Sequence, residues 1–368
     1  MQRDVIDRSK AYWHDDSKLS QGELVWRDRY AWLKERGYQL RSRYSPNWKP
    51  SWLNKGENES GLGAEDGGAF SYTAGHLIDA TRISDGRAVV LKGILRKKSP
   101  HEAEIAQFLS SEPLRSDPRN HCVPILDVLD DPVDNQTYIV MPMLVMCNIP
   151  FFQTVGEVVA FFQQALEGLQ FMHQHNVAHR DAMFMSIMMD QSMWPEPRHH
   201  VFVTFSRDGT RRLKLSTRTE RSPKYYWTDF SLSRRYDPEA GPRREKPAFS
   251  GDDSAPEHQG PLYKVPCDPM PTDVYYVGNL IREYANLGFM QELVDDMVRD
   301  SHEERPTMDE VFERFTQIRE RLHWWEVRVS LICRTDEPVD RRARGARDVF
   351  RTARYILKGL SAIPVPGK

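Results

Sequence analysis

Short apolar runs typical of β-strands alternate with turn residues between positions 71 and 145. The segments GHLIDATRI and AVVLKGIL flank the turn at residues 84–87, which predicts a β-hairpin, and TYIVMPMLV predicts a third strand. Between these segments, PHEAEIAQFLSSEPL has the apolar spacing of a helix. This part of the chain is therefore predicted to be rich in β-structure.

Long amphipathic helices are predicted from residue 156 onward. They cover GEVVAFFQQALEGLQFMHQH, PTDVYYVGNLIREYANLG and TMDEVFERFTQIRERLHWW. Residues 191–226 interrupt them, and VFVTFSRDGTRRLKL in this stretch has Asp-Gly between two β-prone runs, which predicts a surface hairpin insertion. Strands followed by helices predict an α+β protein in two lobes.

The chain preceding the strands has a different character. SQGELVWRDRYAWLKERG predicts one amphipathic helix with a capping box at Ser20 and Glu23, ending at Gly37. The following Gly-rich, acidic segment is typical of a flexible linker. The predicted organisation begins with a helical extension over residues 1–55 and a linker over 56–70. A main domain follows over 71–322, with an N-lobe at 71–145 and a C-lobe at 146–322. A basic amphipathic tail covers 323–368.

Composition narrows the function classes. The 51 basic and 53 acidic residues nearly balance, so no nucleic-acid partner is expected from global charge. No run of about 18 apolar residues occurs, so no transmembrane segment is expected, and the charged N-terminus lacks the apolar core of a signal peptide. The four cysteines are widely spaced, which favours reduced thiols in a cytoplasmic or nuclear protein.

Several short motifs occur in one fixed order along the main domain. They are Lys92 within AVVLK, an acidic helix carrying Glu104, His-Arg-Asp at 179–181, Asp-Phe at 229–230, APE at 255–257, DVYYVGN at 273–279 and EERPT at 303–307. In this order they resemble the eukaryotic protein kinase family over residues 71–322. The resemblance implies a bilobal protein kinase-like fold, with a small β-rich N-lobe and a larger helical C-lobe.

The resemblance also implies a chemistry. Lys92 would pair with the phosphates of ATP and Glu104 would hold that lysine, with Glu102 as the competing partner two residues away. Asp229 would bind Mg²⁺, for which Mn²⁺ is an alternative, and Asp181 would orient a substrate hydroxyl and accept its proton. The implied cofactors are therefore ATP and a divalent cation.

Other matched positions imply structural contacts. Glu257 and Arg305 correspond to the family's buried ion pair, and Asp273 to the aspartate of a central helix that braces the backbone of the catalytic loop; Tyr275 and Gly278 follow in the same helix. A stacked hydrophobic column is expected from His179, Phe108 and Phe230.

The segment YIVMPMLV matches the family's adenine-binding hinge, with Met141 at the gatekeeper position. Adenine needs a carbonyl from the next residue and an N–H from two residues further on. Pro142 can supply the carbonyl although it lacks an N–H, and Leu144 supplies the N–H. The hinge is therefore expected to hold a purine.

The sequence departs from the family pattern around the phosphates and the metal. Of the three glycines in the phosphate-covering loop only Gly75 is present, and Val90 replaces the alanine that packs on adenine. Ser186 replaces the asparagine that ligates the second metal ion. The other substituted positions are Phe70 and Tyr72 in the loop, Met183 two residues after Asp181, and Ser231 after Asp-Phe.

Two functions remain open on the sequence. The first is a phosphotransferase that uses Mg-ATP to phosphorylate serine or threonine hydroxyls of a protein substrate at a reduced rate. The alternative is a catalytically inactive pseudokinase that acts as a scaffold or regulatory binding module. A small-molecule kinase fits less well, because such enzymes lack the APE segment and its arginine.

Regulation and further contacts are predicted at two places. Arg180 is expected to pair with a phosphate on residues 229–257, which match the family's activation segment; Ser254, or a residue in the basic run GPRREK, is a freer site than Ser250. The tail is predicted to form a helix over residues 347–360. Its apolar side either docks on the C-lobe and leaves the arginines in water, or its basic side contacts an anionic surface.

Overall fold

The chain folds as an α+β protein. The structure, a computed structural model, describes residues 17–55, 61, 64–70, 75–131, 133–196, 199–201, 204–248, 252–284, 287–331 and 340–367. The helices are α1 Gln21–Asp28, α2 Tyr30–Glu35, α3 Glu102–Leu109, α4 Val155–Gln174, α5 Met270–Tyr284, α6 Gln291–Met297, α7 Met308–Arg321 and α8 Asp340–Leu357. The strands are β1 Tyr38–Leu40, β2 Leu77–Arg82, β3 Ala88–Leu95, β4 Asp127–Asp130, β5 Gln136–Pro142, β6 Val145–Met146, β7 Val177–Ala178, β8 Ile187–Met189, β9 Tyr225–Trp227 and β10 Arg234–Arg235.

Two compact units divide these elements. The first contains the described residues of Met1–Arg96, Ile125–Leu144 and Trp194–Ser216. The second contains those of Lys97–Pro124, Val145–Met193 and Thr217–Lys368. Helix α3, which the sequence places among the strands, therefore belongs to the second unit.

A five-stranded antiparallel sheet in the order β1-β2-β3-β5-β4 forms the first unit. The predicted hairpin is confirmed as β2 and β3, and the predicted third strand as β5. One face of the sheet packs against the N-terminal helices in a core that includes Trp26, Leu33, Val89 and Leu91. Apolar burial on this face joins the predicted N-terminal extension to the sheet.

The N-terminal helix has the predicted start but not the predicted length. The capping box of Ser20 and Glu23 is confirmed. The helix breaks at Arg29, whose Nε lies 2.7 Å from an Asp131 carboxylate oxygen, so that α1 and α2 replace one continuous helix. Within the segment predicted as a linker, residues 56–60 and 62–63 lie outside the described residues. Asp66 in the same segment is buried and accepts hydrogen bonds from Trp48 and Ser51.

Helices dominate the second unit, as predicted. Helix α4 begins at Thr154, whose hydroxyl accepts the N–H of Glu157, and most of its residues are buried. The predicted helices at 271–288 and 307–325 are confirmed as α5 and α7. The predicted Asp-Gly turn in the 191–226 insertion closes a bridge between Phe205 and Arg212, which belong to the first unit. Within the described ranges, no helix is long and apolar enough to cross a membrane.

Candidate active site

The His-Arg-Asp loop is held by one buried carboxylate. Asp273 in α5 is fully buried, and its two oxygens accept the backbone N–H groups of His179 and Arg180, each at 2.7 Å. His173 Nε2 lies 3.1 Å from the same carboxylate. Arg180 has a φ of 65°, a conformation that residues other than glycine rarely adopt. The predicted bracing by Asp273 is confirmed, and it fixes a strained backbone one residue before Asp181.

Asp181 has a carboxylate with one satisfied and one unsatisfied oxygen. Its Oδ2 accepts a hydrogen bond from the Ser186 hydroxyl at 3.3 Å, whereas its Oδ1 is buried without a hydrogen-bond partner in the described part of the chain. Burial raises the pKa of Asp181 above its ordinary value; nearby His179 opposes this change, and the charge of Asp229 adds to it. A carboxylate with a raised pKa and an open acceptor is suited to receive a hydroxyl proton.

Ser186 is buried and ties the catalytic loop to the strand that precedes Asp229. Its carbonyl accepts the N–H of Thr228 at 2.8 Å, while its hydroxyl donates to Asp181. An asparagine at this position would brace the aspartate and ligate a metal. Serine makes the first of these contacts, and metal ligation by Ser186 stays a prediction.

Asp229 lies on the surface with a φ of 62°. Its Oδ1 accepts the N–H of Ser231 at 3.3 Å, and the next residue, Phe230, is buried with its ring centroid 5.7 Å from that of His179. The positive φ turns the aspartate outward while the phenylalanine enters the core. The predicted contact of His179 with Phe230 is confirmed, with the rings tilted by 54°. The centroid of the Phe108 ring lies 3.5 Å from the Cζ of Arg235, and its place in the predicted column stays a prediction.

A divalent cation fits this arrangement in part. Two carboxylates, Asp181 and Asp229, lie close enough for the charge of one to raise the pKa of the other. No group of three or more His, Cys, Asp or Glu side chains in the described ranges could hold a metal ion. A cation bound by Asp229 would therefore take further oxygen ligands from water or from phosphate, as Mg²⁺ commonly does.

In the first unit, the predicted nucleotide residues share one face of the sheet. Val90 lies directly opposite Met141 in the β3–β5 ladder, and Lys92 lies opposite Ile139. Because side chains alternate along a strand, these residues point away from the face that carries Val89 and Leu91. The sheet thus brings Val90, Lys92 and Met141 together opposite the helix-covered face.

Two backbone hydrogen bonds flank the predicted hinge. The N–H of Met143 donates to the carbonyl of Ala88 in β3, and on the other side the carbonyl of Val140 accepts the N–H of Leu126. Since the Met143 N–H and the Pro142 carbonyl belong to one trans peptide group and point in opposite directions, the Pro142 carbonyl points away from β3. Adenine binding by this carbonyl and by the Leu144 N–H stays a prediction.

Gly75 makes a close backbone contact of its own. It has a φ of 65°, and a Cβ at this position would lie 2.5 Å from the carbonyl oxygen of Gly22 in α1. The glycine is thus required by packing against the N-terminal helix. Tyr72, another predicted loop position, lies outside the described residues, and a phosphate contact by Gly75 stays a prediction.

The two acidic candidates in α3 differ in burial. Glu102 is buried and Glu104 is exposed. The sequence favoured Glu104, with Glu102 as the competing partner. Both glutamates belong to the second unit and Lys92 to the first, so the pairing of Lys92 with either glutamate stays a prediction.

A buried ion pair anchors the end of residues 229–257, which the sequence matched to the family's activation segment. Arg305 donates to both oxygens of Glu257 at 2.7 and 2.8 Å, and the Thr272 hydroxyl donates to the same carboxylate at 2.6 Å. Burial alone would raise the pKa of Glu257, but the hydrogen bonds from Arg305 and Thr272 outweigh it and lower the pKa. The predicted pair is confirmed.

Arg180, predicted to pair with a phosphate, already contacts acceptors of the protein. Its guanidinium donates to the carbonyls of Leu232 and Lys246 at 3.2 and 2.6 Å, and it lies 4.0 Å from the carboxylate of Glu245. Arg234 lies 3.8 Å from that same carboxylate. Ser250 lies outside the described residues. Glu245 therefore places a negative charge between the two arginines where the sequence predicted a phosphate.

Sequence reasoning missed several of these contributors. Thr272 and His173 each touch a carboxylate that the motifs identified, and both lie within or beside a predicted helix. Their signal was only their position: Thr272 directly precedes Asp273, and His173 lies in the last turn of a helix, six residues before His179. Glu245 is the only acidic residue of the basic run GPRREK, and this isolated negative charge was the available signal for a contact with arginines.

Comparisons with known proteins give no independent support for a family. A scan against protein-family models finds none that matches this chain, and a search of curated proteins finds no match either. The kinase resemblance rests on the motifs and on the contacts that they predicted.

Proposed function

We propose that this chain is a protein kinase-like phosphotransferase that uses Mg-ATP to phosphorylate serine or threonine hydroxyls, at a reduced rate. The observation that carries the proposal is Asp181: a carboxylate of raised pKa with an open, buried oxygen, beside Asp229, on a loop that Asp273 braces. The proposal includes a bilobal fold of the kinase type and a cytoplasmic or nuclear location.

Each proposed role follows from the chemistry of one group. Asp181 accepts the proton of the substrate hydroxyl as that oxygen becomes nucleophilic. Lys92 neutralises phosphate charge, and Asp229 with Ser186 holds the divalent cation. The Pro142 carbonyl and the Leu144 N–H hold adenine beside Val90 and Met141. When bound, Mg-ATP supplies the transferred phosphoryl group and the charge of the metal.

The reduced rate follows from two substitutions. Ser186 uses its hydroxyl proton on Asp181, and it has no amide group with which to brace the loop and ligate a metal at the same time. Val90 adds two methyl groups where the family has alanine, in a strand position that is already buried. Losing one charge-stabilising contact costs a factor of about 10² to 10³ in rate.

A pseudokinase scaffold is the second candidate, and Gly75 is the observation that favours it. This glycine, the only one retained from the phosphate-covering loop pattern, packs against Gly22 of the N-terminal helix. A loop committed to helix packing has less freedom to follow a phosphate group.

Nucleotide binding tests the proposal. The melting temperature of the full chain, measured with ATP and either Mg²⁺ or Mn²⁺, should rise for the wild-type protein. Lys92→Met should abolish the rise because it removes the proposed phosphate partner. Lys98→Met, at an exposed lysine of the same region, is the matched control and should keep it. No rise for the wild type with either metal would reject the enzyme and leave the scaffold.

A further inference from the structure

Helix α8 exposes one apolar side. Val349, Phe350, Ala353, Ile356 and Leu357 are all exposed, with Phe350 at 79% and Leu357 at 87%. Their spacing places them along one face of the helix, which runs the length of its last two to three turns. Single exposed apolar residues are common on protein surfaces, but a continuous helical row of them marks a contact site.

The opposite, polar side of α8 is the side that docks on the protein. Tyr355 is buried and its hydroxyl donates to Thr217 Oγ1 at 2.9 Å, while Arg351 donates to the carbonyl of Arg328 at 3.2 Å. Lys358 Nζ lies 2.7 Å from Glu220, which Arg354 also contacts. The expectation of an apolar docked side with arginines in water is therefore wrong for the described side chains. Glu220 and the backbone carbonyl of Arg328 accept hydrogen bonds from the basic side chains of α8, and its apolar side faces solvent.

The charge of α8 indicates which kind of partner its exposed apolar side binds. Residues 340–358 contain seven basic and two acidic residues, an excess of five positive charges. A helix with an apolar side and a basic rim lies in the plane of a bilayer interface, and anionic headgroups attract the rim. Trp324 and Trp325, which lie a few residues before Arg328, are also exposed, and their ring type is enriched at membrane interfaces.

We propose that α8 is a peripheral anchor that places Phe350, Leu357 and the apolar residues beside them into the surface of an anionic lipid bilayer. A nucleic acid fits less well, because the exposed residues of this face are apolar and offer no hydrogen-bond donor to a phosphate. A second copy of the chain would bring two strongly basic helices together, which is electrostatically unfavourable. The proposal is independent of nucleotide binding.

Sedimentation of the full chain with lipid vesicles tests this anchor. Vesicles of phosphatidylcholine with phosphatidylserine should bind the protein at least about tenfold more tightly than phosphatidylcholine alone, and about 0.5 M salt should remove most of this difference. The double variant Phe350→Ser and Leu357→Ser should weaken binding at least about tenfold, because it removes the inserted side chains. Both residues are exposed, so the variant should unfold at the same temperature as the wild type.

Val133→Ser is the matched control, since Val133 is 88% exposed in the first unit, and it should bind like the wild type. Equal binding by the double variant and the wild type would overturn the proposal, as would equal binding to both kinds of vesicle or no binding to either. Self-association that the double variant abolishes, without vesicle binding, would assign the face to a second copy. DNA binding that the double variant retains, without vesicle binding, would assign the basic residues to a nucleic acid.

Discussion

Asp181 is held in an environment that disfavours its own charge. Burial and the carboxylate of Asp229 raise its pKa, while the residues that the structure describes supply its carboxylate with a single hydrogen bond, from Ser186. Such an arrangement costs stability in the free protein. Costs of this kind are typical of groups that work on a substrate rather than on the fold.

Removal of the charge should therefore stabilise the protein. Because the pKa of Asp181 is higher in the folded than in the unfolded chain, the ionised carboxylate weakens folding at pH values above the folded-state pKa. Asp181→Asn should raise the melting temperature at pH 7, measured without nucleotide or metal. The gain should shrink as the pH falls and vanish below about pH 4, where both states protonate the acid.

Asp253→Asn, at an exposed position of the same unit, is the control and should leave the melting temperature unchanged. A melting temperature that Asp181→Asn lowers at pH 7 would show instead that the carboxylate stabilises the fold.

Sequence patterns located single residues well where a motif fixed them. Asp181, Asp229 and Asp273 are each identified by their motif, and the bracing by Asp273 follows from it. The sequence favoured Glu104 over Glu102, but it could not predict that Glu102 is the buried one, because residues two apart on a helix lie on different faces and burial depends on how the helix packs. The position of Glu245 between Arg180 and Arg234 could not be predicted either, since the two arginines come from separate segments.

At the scale of elements, the end of residues 229–257 is held in place by the ion pair of Glu257 and Arg305. Removing one partner of a buried ion pair leaves an uncompensated charge, which costs about 3 to 5 kcal/mol. Arg305→Leu should therefore lower the free energy of unfolding in urea by this amount at pH 7. Because the pKa of Glu257 is lowered in the fold, the stabilisation by this carboxylate is present above the unfolded-state pKa and is lost as the pH falls through the folded-state pKa.

Arg321→Leu, at an exposed arginine of α7, should change the free energy of unfolding by no more than about 0.5 kcal/mol. An equal, small effect of Arg305→Leu would mean that the pair does not anchor the segment.

The contact between α1 and Gly75 gives a second prediction at this scale. Gly75→Ala adds a left-handed backbone cost of about 1 to 2 kcal/mol and a clash with Gly22 of about 1 to 3 kcal/mol. Gly37→Ala, at a φ of 90° with no atom within 4 Å of the added Cβ, carries only the backbone cost. Urea unfolding should show a loss for Gly75→Ala that is at least about 1 kcal/mol larger. Equal losses in the free energy of unfolding for the two variants would contradict the packing role of Gly75 and leave its predicted role in the phosphate-covering loop.

Elements with strong periodicity were predictable, and their partners were not. The hairpin of β2 and β3, strand β5 and helices α4, α5 and α7 appear where the pattern places them. The break at Arg29, where the backbone has a φ of −99° and a ψ of 2°, was missed because one non-helical residue leaves the apolar spacing of the segment nearly unchanged. The docked side of α8 was predicted the wrong way round because Thr217 and Glu220 satisfy its polar side, and hydrophobic periodicity cannot identify such distant acceptors.

For the whole molecule, the proposed chemistry assigns different tasks to the two units. The first carries Lys92, Val90, Met141 and the hinge, and the second carries Asp181, Ser186 and Asp229. In each unit the residues named by the sequence come together on one face or one loop. The α+β class could be predicted from strands preceding helices, whereas the assignment of α3 to the second unit and of residues 194–216 to the first could not.

Transfer of radiolabelled phosphate from ATP tests the central claim most directly. Full-length protein with Mg²⁺ or Mn²⁺ should label itself or dephosphorylated casein, Asp253→Asn should do so equally, and Asp181→Asn should lower the rate at least about hundredfold, because it removes the proton acceptor. Asp181→Asn should keep the nucleotide-induced rise in melting temperature. Absence of transfer by folded wild-type protein with either metal, or equal transfer by Asp181→Asn, would contradict the account.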